Sequence, residues 1–237
     1  MKLADVAPQR SWNDYRKRVE DEHSVIFGMT RFGKTYLAER LAAMRVFVVV
    51  HDPKAEYVLR GYRACATLAE LQKLTSTPAK IAKNPKLIYQ PDTKHLRDEG
   101  EQDGFFTWVY QRGDTMCIID ELTSVSTRRT DMPQGLVDCY ARGNGRAVSI
   151  MGLTQEPTWV PSMAMTQARH RYTFYVANLD HQKRVCTYMP GPVAVPGGEK
   201  GLTPDLIAQL PKRHFYYYRL GEKATSGPWK VGPGDKL

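Results

Sequence analysis

Apolar residues in this chain fall into short continuous runs set between longer mixed stretches, with no sustained alternation. The runs are Ser24-Val25-Ile26-Phe27, Val46-Phe47-Val48-Val49-Val50, Lys86-Leu87-Ile88-Tyr89-Gln90, Thr115-Met116-Cys117-Ile118-Ile119 and residues 147–153. They are short and rich in β-branched side chains, which predicts strands buried on both faces, as in a parallel sheet. Residues 36–44, 67–76, 105–111 and 132–142 have helical spacing, and 105–111 carries an aromatic face that closes at Gly113. Pro91 stops the run before it, and the charged stretch 92–104 predicts an exposed loop. Strands are expected again at 172–176 and 214–218, with a Pro- and Gly-rich loop or hairpin at 190–201 between them. The tyrosines at 216–218 alternate with apolar neighbours and predict core or edge strand. Strand alternating with helix predicts an α/β domain with a mostly parallel sheet, helices on both faces and small C-terminal β additions. Residues 1–22 are polar and mixed in charge, with Trp12 and Tyr15 as anchors. They predict an N-terminal arm or helix ahead of one domain, 23–237.

One turn in this pattern carries chemistry. Gly28-Met29-Thr30-Arg31-Phe32-Gly33-Lys34-Thr35 spells G-x-x-x-x-G-K-T between the first strand and the first helix, the context a phosphate-binding loop requires. Glycines let backbone N–H groups of 28–36 curl around phosphate oxygens, and the helix N-terminus that opens at Tyr36 adds partial positive charge. Lys34 is placed to reach β- and γ-phosphates, and the Thr35 hydroxyl to ligate Mg²⁺. The expectation is a nucleoside triphosphate site.

The run 115–119 ends in Asp120-Glu121, which supplies the second half of such a site. Asp120 is expected to hold Mg²⁺ through water, and Glu121 to polarise the attacking water as general base. Hydrolysis, most simply of ATP, needs that glutamate, whereas a switch or kinase does not. The run 147–153 leads into Thr154-Gln155-Glu156-Pro157. Gln155 at the strand tip is a candidate sensor of the γ-phosphate, set against an ordinary amide ending a strand. Upstream, Arg142-Gly143-Asn144-Gly145-Arg146 puts two permanently charged guanidiniums on a glycine-rich turn. Either one could serve as an arginine finger toward a neighbouring subunit, or sit as a solvated basic turn.

Formal net charge is +9 and the pI is near 9.4, which suggests a polyanionic partner. Cys65, Cys117, Cys139 and Cys186 are scattered, which predicts reduced structural thiols and no zinc site. No apolar run approaches the ~20 residues of a membrane span.

Taken together, the motifs resemble the FtsK–HerA superfamily of ring-forming DNA-pumping ATPases. The resemblance rests on the loop G-M-T-R-F-G-K-T, on His51-Asp52-Pro53-Lys54-Ala55-Glu56-Tyr57, on Ile118-Ile119-Asp120-Glu121, and on Arg142 through Pro157. It covers about residues 23–178. It implies a P-loop NTPase fold of the ASCE/RecA-like type, with ATP and Mg²⁺ bound between subunits of a ring, expected to be a hexamer. Gln155 becomes the sensor and Arg142 or Arg146 the finger; Asp52 is read as capping its strand and Glu56 as half of a structural ion pair. With 1–22 ahead of the first strand and 179–237 behind the core, the chain is similar to genome-packaging ATPases of tailless icosahedral viruses with internal membranes. That implies double-stranded DNA, met without sequence preference, and capsid or internal-membrane vertex proteins as partners. The expected location is the host cytoplasm and a packaging vertex. Arg128 and Arg129, after the Asp-Glu strand, are candidate DNA contacts or else a solvent-facing basic loop, and Lys94, His95 and Arg97 form a second basic patch read first as a solvated face. The alternatives are a conjugation, plasmid or defence-system translocase of the same superfamily, or a scaffold that binds ATP without turnover.

Overall fold

The computed structural model describes residues 22–57, 61–92, 95, 98–126, 131–195 and 197–231. Arg128, Arg129, Lys94, Arg97, Trp12 and Tyr15 lie outside those residues. In chain order the strands are β1 (Ser24–Phe27), β2 (Val48–His51), β3 (Arg63–Cys65), β4 (Lys86–Tyr89), β5 (Thr115–Ile119), β6 (Val148–Thr154), β7 (His170–Thr173), β8 (Pro192–Val195), β9 (Gly198–Gly201), β10 (His214–Arg219) and β11 (Ser226–Lys230). Nine of them form one sheet in the order β11-β10-β7-β1-β6-β5-β2-β4-β3, and β8 and β9 pair as a separate hairpin. From β7 to β3 every pairing is parallel, while β10 and β11 run antiparallel at one margin. The sheet is the mostly parallel, helix-covered architecture of a P-loop NTPase, with β additions at its C-terminal margin.

Why both faces are apolar follows from the two-residue period of a strand. Val25, Phe27, Val49, Cys117, Ile119 and Ile150 point to one face. There they meet Phe105, Phe106 and Val109 of α4 (Glu99–Arg112) and Leu136 and Cys139 of α5 (Gln134–Arg142). Ile26, Val48, Val50, Ile118, Met151 and Leu153 point to the other, against Leu37, Ala38 and Leu41 of α1 (Lys34–Ala42). Shorter helices complete the cover: α2 (Leu68–Leu74), α3 (Pro78–Lys83), α6 (Ser162–Gln167), α7 (Leu179–Tyr188) and α8 (Pro204–Ala208). All four cysteines are free thiols; Cys65, Cys117 and Cys139 are buried.

Several elements differ from the sequence expectation. The stretch 92–104 is only partly loop, because α4 begins at Glu99. Asp98 caps it, its carboxylate accepting from Gly100 N and Glu101 N, and the acids of the first turn face the positive end of the helix dipole. Glu101 then accepts from Tyr89 Oη at 3.0 Å and Leu68 N at 3.0 Å, so these charges build structure instead of merely facing water. β2 starts at Val48 and runs on through His51, leaving Val46 exposed. β7 spans His170–Thr173, two residues earlier than expected. Tyr216, Tyr217 and Tyr218 are buried, as their alternation predicts, and 190–201 contains the β8–β9 hairpin. Among the described residues no helix is long and apolar enough to cross a membrane.

Candidate nucleotide and hydrolytic site

Parallel strands point their C-terminal ends to one edge of the sheet, and ligands gather there where connections diverge to either side. Here β1 is the divergence point, flanked by β6 on one side and β7 on the other. The loop that leaves β1 is pinned by its backbone. Gly28 N donates to Thr154 O at 3.1 Å and Met29 N to Tyr175 O at 2.9 Å. Gly28 sits at φ 148°, and a Cβ there would lie 2.7 Å from the Cβ of Phe174, so only glycine lets the loop pass. Gly33, at φ 116°, turns the chain into α1, and no side chain caps the first turn of that helix. Its leading amides are therefore directed at whatever occupies the loop.

A cavity of about 380 Å³ opens over this turn. Thr30, Arg31, Gly33, Lys34, Thr35 and Tyr36 form its floor, and Asp120 and Gln155 one wall. Lys54, Glu56 and Arg213 stand at its rim. Lys34 is buried, its Nζ donating to Met29 O at 3.2 Å. Burial pushes its ammonium down to about 8, against the opposing pull of Glu121 and Asp120. Burial likewise raises the Asp120 carboxyl to about 6, helped by Asp52 and opposed by Lys54 and Lys34. These shifts in opposite senses share one cause, since burial disfavours the charged form of each group. Glu121 is buried beside them, its carboxylate accepting from Thr123 Oγ1 at 3.1 Å.

Strand order explains how Gln155 joins this group. β6 lies between the β1 strand of the phosphate loop and the β5 strand of Asp120, in register with both: Gly152 pairs with Val25 and with Ile119. The residue after β6 therefore emerges between the glycine loop and the carboxylates. Gln155 Oε1 accepts from Thr30 Oγ1 at 2.8 Å, across the mouth of the loop. Phe32 takes no part in the cavity wall; it stacks on Tyr175 with centroids 4.7 Å apart. Tyr36 Oη is held by Arg40 Nη2 at 2.7 Å.

Asp52 is a strand-end anchor. Fully buried, it accepts from Tyr57 N at 2.7 Å and Gln90 Nε2 at 2.9 Å, which fixes the turn 53–57. Glu56 is exposed on the cavity rim and belongs to none of the ion pairs among the described residues, contrary to the structural ion pair expected of it.

The two candidate finger arginines lie elsewhere. Both precede β6, at the edge where parallel strands begin, and the seven residues of β6 separate them from Gln155. That is roughly 20 Å of strand, out of reach of this chain's own cavity. Arg146 is committed locally: its Nε donates to Tyr110 O at 2.8 Å and its Nη2 to Gln111 O at 2.5 Å, capping the end of α4. Arg142 pairs with Asp138, one helical turn back, and lies over the Tyr110 ring at 5.5 Å, while its side chain stays 63 % exposed.

Sequence reasoning missed Lys54 and Arg213 as cavity residues. Lys54 was legible, since it sits in the motif that follows β2. Arg213 was not, because a basic residue before a late strand has no pattern of its own.

The donor set fits a nucleotide with its metal. Free helix amides and Lys34 suit phosphate oxygens, and a hydroxyl with a carboxylate suits a hard cation such as Mg²⁺. No family model matches this chain, and no curated protein does. Solved structures do resemble it. The genome-packaging NTPase B204 of Sulfolobus turreted icosahedral virus 2, in complex with AMPPCP, is 16% identical, with TM-score 0.65 over 90% of this chain and 99% of its own. B204 described as the DNA-packaging ATPase of Sulfolobus turreted icosahedral virus is 16% identical, with TM-score 0.63 over 90% and 100%. The bacterial conjugative coupling protein TrwB is 12% identical, with TM-score 0.59 over 92% and 87%. At the level of fold, this chain stands with a viral packaging NTPase and a conjugative coupling protein, as its resemblance to the FtsK–HerA superfamily implied.

Proposed function

We propose that this protein is an ATPase that translocates double-stranded DNA, and that its task is to drive a viral genome into a preformed capsid. The observation that carries the reading is the convergence of Lys34, Asp120 and Gln155 on one cavity from three adjacent strands, with Glu121 buried alongside. A binding scaffold has no use for a buried glutamate at that place. The amides of the loop and Lys34 hold the phosphates; Thr35 and, through water, Asp120 hold the magnesium ion. That ion, when bound, offsets phosphate charge during transfer. Glu121 takes the proton of the attacking water, and Gln155, tethered to Thr30, senses whether the terminal phosphate is present.

Arg142 is the finger in this reading. It is exposed, on the sheet edge remote from its own cavity, whereas both donor arms of Arg146 are spent on carbonyls. A finger in that position acts only on a neighbour, so turnover requires a ring, a hexamer by the superfamily resemblance. Net charge of +9 suits a sequence-independent grip on phosphates, with Arg128 and Arg129 as channel contacts. Packaging places the motor at a capsid or internal-membrane vertex. The similarity to a conjugative coupling protein keeps DNA transfer in conjugation as the second reading.

The test is ATP turnover against protein concentration, with and without duplex DNA of unrelated sequences. Turnover should rise with both, and Arg142→Ala should reduce it on the order of a hundredfold or more while ATP still binds; Arg146→Ala should act mainly on stability. ATP binding without turnover on free and capsid-bound protein alike would overturn the motor reading.

A further inference from the structure

Arg213, like Lys54 and Glu56, is a cavity residue that the hydrolytic reading leaves unused. It immediately precedes β10, the strand antiparallel to β7, so it stands at the edge where the parallel strands end. The sheet order fixes its side. From β1, the hydrolytic groups lie toward β6, β5 and β2, while β7 and β10 lie the opposite way. Arg213 thus faces Asp120 and Gln155 across the floor of the cavity.

Its main chain is tied into the phosphate loop. Arg213 N donates to Phe32 O at 3.0 Å, and Arg213 O accepts from Val231 N at 2.9 Å. The residue adopts φ 64°, a left-handed conformation that disfavours any residue with a Cβ, and the two backbone bonds hold it there. The side chain is exposed, and Arg213 belongs to none of the ion pairs among the described residues. A guanidinium fixed at its root, without a carboxylate, at the end of a nucleotide-sized cavity has a clear chemical use.

Accepting the nucleotide site proposed above, the terminal phosphate belongs with Lys34, Asp120 and Gln155, which sends the nucleoside toward the β7–β10 side. We propose that Arg213 binds the nucleoside end in cis, its planar guanidinium stacking on the face of the base. Guanidinium stacks on aromatic faces and on nucleobases, and an ammonium lacks the plane to do so. The contact also gives the C-terminal β10–β11 hairpin a direct view of occupancy, because the same residue bonds the loop through Phe32.

The experiment compares wild type, Arg213→Ala and Arg213→Lys, titrated with ATP, ADP and inorganic tripolyphosphate, with magnesium present. Both backbone bonds survive in each variant, and thermal melting checks that folding does too. Arg213→Ala should weaken ATP and ADP about tenfold, between the scales of an exposed and a desolvated cation–π contact, and leave tripolyphosphate within twofold. Arg213→Lys should not restore the nucleotide affinity. An equal loss for tripolyphosphate, or full rescue by lysine, would make Arg213 a phosphate ligand and overturn the proposal; so would unchanged ATP affinity. Wild-type protein that binds neither ATP nor tripolyphosphate would instead remove the nucleotide site itself, and this proposal with it.

Discussion

Gly152 connects packing to chemistry at a single methyl group. It lies within β6, between β1 and β5, and a Cβ there would sit 2.4, 2.6 and 2.7 Å from Cδ1, Cγ and Cδ2 of Leu122. Ordinary carbon contacts lie at about 3.5–4.0 Å, so Leu122 would have to retreat by roughly 1 Å. It has nowhere to go, being 1% exposed within the core. Over-packing of this kind costs about 1–3 kcal/mol, and the upper half of that range is expected of Gly152→Ala because every side-chain carbon past Cβ is hit. Leu122 follows Glu121 directly, so its retreat drags the proposed general base with it. A displacement near 1 Å at a reacting group costs on the order of a hundredfold in rate. Urea denaturation would read the first effect and single-turnover ATP hydrolysis the second. Leu122→Ala alone should cost about 2–5 kcal/mol, yet added to Gly152→Ala it should relieve the clash. The double mutant should then be more stable than the sum of the single losses by at least ~1 kcal/mol. Additive losses, or a Gly152→Ala protein with full stability and normal turnover, would refute the reasoning.

Four other outcomes are expected. Glu22 joins His170 Nε2 at 2.7 Å and Arg219 Nη2 at 3.0 Å, and bonding to His170 foremost holds its carboxyl down to about 2 despite burial. A depressed carboxylate stabilises above its unfolded value of 4.5 and loses that contribution as pH falls through about 2. After discounting for solvent screening it contributes about 2 kcal/mol. Urea midpoints between pH 5 and pH 2.5 should fall in the wild type and fall less in Glu22→Gln. Gly135 brings α5 against α4: its N donates to Asp103 Oδ1 at 2.7 Å and a Cβ would lie 2.3 Å from Thr107 N. Gly135→Ala should therefore destabilise by about 2–4 kcal/mol, read by thermal melting, while a strain-free helix site would gain from the same change. Lys34→Ala should abolish ATP binding in a filter assay, and Glu121→Gln should retain binding while turnover falls by a factor on the order of a thousand or more.

What the sequence made legible was whatever local physics enforces. Apolar runs such as 115–119 can only be buried strands in a chain that alternates with helices, and the G-x-x-x-x-G-K-T loop needs the strand before it and the helix after it. Asp120, Gln155 and Lys34 were readable for the same reason, as residues at strand tips or a helix start. The misses involve placement that only tertiary structure decides. The acids of 98–101 look like any solvated loop until Asp98 caps a helix and Glu101 reaches Tyr89 and Leu68. Arg142 and Arg146 were indistinguishable as a pair, because what separates them is two carbonyls at the end of another helix. Arg213 enters the cavity only because β10 folds back antiparallel to β7, more than thirty residues later in the chain.

Backbone strain marks the same two places that the chemistry marks. Among the described residues, the non-glycine residues at positive φ are Arg31, Ala55, Asp114, Ala147 and Arg213. Each costs about 1–2 kcal/mol relative to a relaxed conformation, so surrounding bonds must hold it. Arg31 and Arg213 line the nucleotide cavity, and Ala55 sits between Lys54 and Glu56 on its rim. Asp114 and Ala147 lie at the opposite edge, where Asp114 N donates to Arg146 O at 2.8 Å and Thr115 N to Ala147 O at 3.1 Å. Arg45 ties the pair together, reaching Ala147 O at 2.5 Å and Asp114 at 3.3 Å. A turn that merely linked α5 to β6 could relax at no loss to the core. This one is braced from three sides, which fixes the end of the helix that carries Arg142. Under the proposed reading, strain at the cavity and strain behind the arginine turn suit a site shared between neighbouring subunits, since each chain would present one rigid half to the next.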